Sequence, residues 1–263
     1  AAVDVALTEA AIGSGLTGVL LLGAVATLCR TEARTLRRPA LPLRVLAAAC
    51  CALVSVALAV AVLTLPESAP TLAPEAMGAL PATGVGNPVT GVLMAFRAFD
   101  TLLEKVVLVL ALIGVWSLAS DRCWGGQPGL EHRLSADGVL PFFARTLPPF
   151  GVLLGAHLMW TGADNPGGAF QGGTVLAAMW LVVMMAGVRD APAIREQWVR
   201  LARVSGPVVF LAVGLAGVLT AGAFLAYPVA IAKPLILLIE VPMLLTIALA
   251  LGLLVTGPPE RAV

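Results

Sequence analysis

Runs of apolar residues long enough to cross a lipid bilayer recur along this chain, and no other feature constrains its fold as tightly. A spanning helix needs about 20 predominantly apolar residues. Seven such stretches can be marked out, at residues 4–28, 43–65, 101–119, 142–160, 172–188, 207–225 and 233–255. A helix lying along the interface from Pro88 is an expected prelude to the third. Hydrocarbon offers backbone groups no water, so each stretch must close its hydrogen bonds internally as a helix. The fold class that follows is an all-α integral membrane protein with about seven transmembrane helices. Composition agrees: 59% of the 263 residues are hydrophobic and 12% charged, at a mean hydropathy of +0.98. A soluble domain carries roughly a quarter of its residues as charges.

The loops between these stretches alternate in charge. Residues 30–44 hold Arg30, Arg34, Arg37, Arg38 and Arg44 against Glu32, whereas residues 66–87 hold Glu67 and Glu75 and nothing basic. Residues 121–138 bring Arg122 and Arg133, and residues 161–171 only Asp164. Residues 189–206 bring Arg189, Arg195, Arg200 and Arg203, residues 226–232 carry no charge, and Arg261 sits in the tail. Basic residues mark the cytoplasmic side. Seven spans then put the N-terminus outside and the C-terminus inside, in a multi-pass protein of the cell's inner (cytoplasmic) membrane.

Several function classes drop away. A net charge of +1 gives no reason to expect nucleic acid. Cys29, Cys50, Cys51 and Cys123 form no C-x-x-C pair, and His132 and His157 are the only histidines. No metal site, catalytic nucleophile–base pair or cofactor motif is indicated, and the cysteines read as small buried hydrophobes.

Ionisable residues inside spans cost about 2.5–3.5 kcal/mol each on insertion scales, so they call for a reason. In Phe96-Arg97-Ala98-Phe99-Asp100-Thr101-Leu102-Leu103-Glu104-Lys105, helical spacing puts Arg97, Asp100, Thr101 and Glu104 on one stripe, with Lys105 at its border. Two arrangements satisfy this pattern: an interfacial amphipathic helix, or a polar stripe facing a hydrated path inside a bundle. In the first span Asp4 and Glu9 lie ~8 Å apart along the axis, either as first-turn acids complementing the helix dipole or as part of such a path. In the last span Lys233 and Glu240 share a face. Lys233 can snorkel to the outer interface, whereas Glu240 is ~10 Å deeper, beside Pro242, which removes a backbone donor.

The remaining feature is the turn Thr161-Gly162-Ala163-Asp164-Asn165-Pro166-Gly167-Gly168-Ala169-Phe170-Gln171-Gly172-Gly173. It lacks the Lys-Ser/Thr of a phosphate loop. Physically it is a tight connection between two spans.

These motifs carry a family resemblance. Asn165, Pro166, Gly167, Gly168, Phe170, Gly172 and Gly173 resemble the Pro-Gly-Gly-Gly-Phe signature of the four-span B subunit of Mrp-type multisubunit sodium/proton antiporters. Residues 96–104 resemble the Phe-Arg-Gly-Phe-Asp-Thr motif of the large A subunit's C-terminal region, an element that is a separate small subunit in membrane-bound hydrogenases. Residues 4–15 resemble the Asp-Val-Ala-x-Thr-Glu-Ala helix just upstream in those proteins. The resemblance implies a fusion: an upstream segment at 1–65, the motif region at 66–138 and a four-helix B-type domain at 139–263. Departures are Ala98 for the motif glycine, Ala163-Asp164 for a Gly-His pair, and Ile239-Glu240-Val241 with Pro242 where Asp-Ile-Gly is usual. The chain starts without Met, and the two helices usual ahead of the Asp-Val-Ala segment are not in it.

The expected function is that of a subunit in a monovalent cation/proton antiporter. Glu9, Arg97, Asp100, Glu104, Lys105, Lys233 and Glu240 are its candidate ion-path residues. The expected partners are other membrane subunits, the lipid bilayer, H+ and Na+. Two alternatives stand beside it: a membrane module of a redox-driven ion-pumping complex, and a subunit that only fills and orients its neighbours.

Overall fold

The computed structural model describes residues 3–35, 40–65, 71–129 and 138–262. Its helices are α1 (Val3–Glu9), α2 (Thr17–Thr35), α3 (Leu41–Leu63), α4 (Ala73–Ala79), α5 (Pro88–Gly91), α6 (Ala98–Trp116), α7 (Val139–Thr161), α8 (Ala169–Met185), α9 (Gln197–Ala221) and α10 (Ala232–Thr256). Wider π-helical turns follow α1, at Ala10–Leu16, and α5, at Val92–Phe96. Two short strands, β1 (Gln127–Pro128) and β2 (Pro259–Arg261), pair antiparallel. The chain divides into two compact units, one of residues 1–17 and 76–263, the other of residues 18–75.

In the larger unit α10 is the central helix, packed against α6, α7, α8 and α9. It is apolar almost all round, which suits a helix buried by neighbours. Ile236, Ile239, Met243 and Ile247 join Leu102 of α6 and Phe210 of α9 in one core. Leu249 and Leu253 join Leu112, Trp116 and Val199 in a second. Close approach is bought by absent side chains. A Cβ on Gly172 of α8 would lie 2.4 Å from the Gly155 carbonyl of α7, so the two backbones touch there as small residues permit in membrane bundles.

Among the described residues five helices are long and apolar enough to span a membrane: Val3–Ala26, Leu41–Leu63, Val139–Thr161, Gln197–Ala221 and Val229–Thr256. The other two expected spans are helical but of a different kind. Ala169–Met185 is shorter, and α6 carries Asp100, Glu104 and Lys105 within its 19 residues. The sixth span also begins earlier than residue 207, because α9 runs through Pro207 from Gln197. Proline there marks an interruption inside the helix instead of its start. Thr246 of α10 repairs that place: its hydroxyl donates to the Ala202 carbonyl at 2.7 Å and accepts from the Gly206 N–H at 3.0 Å. A side chain inserted into the helical ladder is a recognised source of bending. Of the loop charges used for orientation, Arg37, Arg38, Glu67 and Arg133 lie outside the described residues, as does His132.

The smaller unit contains most of α2, all of α3 and the start of α4. No residue of α3 is buried. Cys50 and Cys51 on α3, like Cys29 on α2, are therefore exposed, and Cys123 is half-buried. The expectation of buried cysteines fails because α2 and α3 leave these positions uncovered.

Candidate functional site

The larger unit forms a partly open cavity of about 290 Å3 between α1, the segment from α5 into α6, the start of α8, and α10. Both π-helical turns contribute to its wall, Ile12 from one and Leu93 and Met94 from the other. Such turns recur at functional sites because they displace side chains from regular register. The second turn ends at Arg97, whose φ of −129° breaks the helix before α6 begins. Thr101 of α6 reaches back to donate to the Leu93 carbonyl at 2.6 Å.

The roof is the glycine turn. Gly167 and Gly168 have φ of 155° and 126°, and the Gly168 N–H donates to the Leu158 carbonyl at 2.8 Å. A Cβ on Gly167 would lie 2.3 Å from that same carbonyl oxygen, so this position requires glycine. Two carboxylates then hold the N–H groups that follow. Asp4 of α1, 4% exposed, accepts from the Gly167 N–H at 2.6 Å and from the Asn87 amide at 3.4 Å. Glu240 of α10, 5% exposed, accepts from the Ala169 N–H at the start of α8, and its Oε2 has no protein partner. Asn87 ties the turn from a third side, donating to the carbonyls of Gly162 at 3.1 Å and Asn165 at 2.9 Å while capping α5 through Val89 N–H. Thr90 adds a 2.5 Å bond to the Gly162 carbonyl.

Another part of the wall carries the α6 charges. Lys105 is 3% exposed and donates to Glu104 at 2.7 Å, whose side chain is 55% exposed. The Lys105 ammonium lies 4.8 Å from the centre of the Phe170 ring, a cation–π contact strengthened by removal from water.

Of the expected ion-path residues, Glu104, Lys105 and Glu240 line this cavity. Glu9 lies on the exposed side of its helix. Arg97 and Asp100 pair with each other at 2.5 Å, both largely exposed. The expected single stripe is thus divided: the break at Arg97 turns its first members outward, and the deeply buried charge is Lys105. Lys233, at the start of α10, pairs with Asp164 of the glycine-turn loop, both half exposed. That ammonium's hydrogen bond holds the Asp164 carboxyl below its usual range.

Of the signature glycines, Gly167 and Gly168 line the cavity with Phe170, whereas Gly172 and Gly173 pack α8 against α7 and α10. Asn87 and Thr90 were not singled out from sequence, and Asp4, Thr101 and Gln171, although they stood in the acidic helix, the polar stripe and the glycine turn, were not among the candidate residues. Asn87-Pro88 does carry a helix-start signature. Nothing in it, however, points to a loop 75 residues away.

Comparison with known proteins places part of this architecture. The family described as a domain related to the MnhB subunit of Na+/H+ antiporter matches residues 139–258, which contain α7 to α10. An uncharacterised protein of Methanocaldococcus jannaschii is 26% identical over 156 residues, 54% of this chain and 60% of that protein. The chain therefore spans less than two thirds of this relative's length. A chain in the Mrp complex from Dietzia sp. DQ12-45-1b is 24% identical with a TM-score of 0.68, matching 99% of this chain and 30% of that one. A chain of the membrane-bound sulfane sulfur reductase, an archaeal respiratory membrane complex, is 23% identical with a TM-score of 0.61, matching 81% of this chain and 96% of that one. At these identities the two structures establish a shared fold. To that shared fold the sequence adds a likeness, over residues 139–258 and less than half of the chain, to the domain related to the MnhB subunit of Na+/H+ antiporter.

Proposed function

We propose that this chain is a subunit of a multi-subunit monovalent cation/proton antiporter and contributes polar helices to its ion path. The observation that carries this reading is Glu240. A carboxylate of the MnhB-related domain lies buried in the central helix and shares one cavity with the Lys105–Glu104 pair of α6. Burial of ionisable side chains within apolar helices is costly and marks transport pathways. The seven-span topology, with α6 and α8 as the additional spans, the N-terminus outside and the C-terminus cytoplasmic in the inner membrane, belongs to the same reading. So does the division at 1–65, 66–138 and 139–263. The wholly exposed apolar α3 supports a surrounding of lipid and partner subunits.

The test is Glu104→Gln and Glu240→Gln in the assembled complex, followed by proton and sodium flux in vesicles. Flux falls with either variant if the cavity is on the path. Wild-type flux with both, at normal assembly, would leave the chain a structural filler.

A further inference from the structure

We infer that the cavity carries protons, with Lys105 and Glu240 exchanging a proton through water held between them, and that it does not bind the alkali cation. This rests on the reading above and narrows it to one of the two ions.

Four charged groups line the cavity: Asp4 from α1, Glu104 and Lys105 from α6, and Glu240 from α10. Asp4 is occupied by the Gly167 N–H and the Asn87 amide. Glu104 is occupied by Lys105 and reaches the outside. Glu240 keeps Oε2 unpartnered, and Lys105 has further N–H donors beyond the one given to Glu104. A hard cation needs a shell of oxygen ligands. Much of the wall here is Val5, Ile12, Leu93, Met94 and Met243, and an ammonium already occupies the cationic position. A proton needs only water and two end groups. The volume holds several waters at ~30 Å3 each, and Thr8, Thr90 and Gln171 supply polar anchors on the wall.

The step balances. Lys105–NH3+ gives a proton to cavity water, which passes one to the Glu240 carboxylate, leaving a neutral amine and a neutral carboxylic acid. The amine is reprotonated from Glu104, itself supplied from outside, and Glu240 returns to the carboxylate by releasing its proton to water onward along the path. Net charge within the cavity is unchanged by the transfer, so little desolvation opposes it.

Lys105→Arg discriminates this role from a charge role, because a guanidinium keeps the positive charge but does not release its proton. In the assembled complex in vesicles, Lys105→Arg should lower the maximal exchange rate by about tenfold or more and leave the KM for sodium unchanged. Wild-type exchange in Lys105→Arg would overturn the relay. A large rise in sodium KM at full maximal rate in Glu240→Gln would also overturn it, by making the cavity a cation site, while the antiporter reading survived. Failure of that reading looks different: Glu104→Gln and Glu240→Gln both exchange normally. If Lys105→Arg does not assemble, infrared difference spectra of the wild-type complex between acid and alkaline pH decide. A carboxyl band missing in Glu240→Gln supports the relay, and its absence from wild type refutes it.

Discussion

Removing the Asp4 side chain should loosen the glycine turn by an amount the structure allows to be worked out. Asp4→Ala deletes one short bond to the Gly167 N–H at 2.6 Å and one long contact to Asn87 at 3.4 Å. A hydrogen bond to a charged group contributes about 1.5–3 kcal/mol, and leaving a buried N–H unsatisfied costs a similar amount. The Asn87 contact is at the weak end of the geometric range and adds little. Asp4→Ala is therefore expected to cost about 2–3 kcal/mol, nearly all of it through Gly167. Asp4→Asn keeps the acceptor without the charge and should cost about 1 kcal/mol, since neutral bonds are roughly half as strong. The assay is thermal unfolding of the purified protein in detergent, with proteolysis at the 162–168 loop as a local readout. A double-mutant cycle with Asn87→Ala should give a coupling of about 0.5 kcal/mol or more, as for residues in one hydrogen-bond network. Equal losses for Asp4→Asn and Asp4→Ala would refute the acceptor role, and so would stability unchanged in Asp4→Ala.

The same assay tests three other positions. Gly167→Ala should cost about 2–4 kcal/mol from the clash with the Leu158 carbonyl and the positive φ. Gly222→Ala, with φ 80° but nothing within 4 Å, should cost about 1–2 kcal/mol, so equal losses would dismiss the clash. Thr246→Val should cost about 1–2 kcal/mol by removing the hydroxyl between Ala202 and Gly206, and Thr246→Ser should stay near wild type. The Asp164–Lys233 link should be pH-dependent. A carboxyl held below the ordinary 3.8 stabilises the fold above that value and loses its contribution as pH falls through the lowered one. Asp164→Asn should thus differ slightly from wild type at neutral pH and low salt, since exposed pairs are weak and screened. Wild type and variant should converge in strong acid, and a difference that persists there would remove the ion pair as its cause.

The helices were legible because hydrocarbon acts locally. Each stretch had to satisfy its own backbone, so apolar runs located α3, α7 and α10 to within a few residues. Local cues misled where a residue has two uses. Pro207 reads as a helix start, yet α10 supplies the hydroxyl that lets α9 continue through it. Helical spacing also grouped Arg97 with Glu104, because spacing cannot register the break at Arg97 itself.

What the sequence alone determined, then, is the class of environment and the inventory of costly charges, since both follow from composition within a single helix. Tertiary structure decided which of those charges lie together. Glu104 and Lys105 are neighbours in sequence, but only Lys105 is sealed from the outside, because Phe170 and the start of α8 lie over it. The glycine turn read as a tight connection; three-dimensional packing makes it the place where Asp4 and Glu240, 236 positions apart in the chain, take hold of backbone N–H groups two residues apart. No one-dimensional pattern encodes that meeting. It depends on helices approaching closely enough for backbone donors to reach carboxylates from other elements.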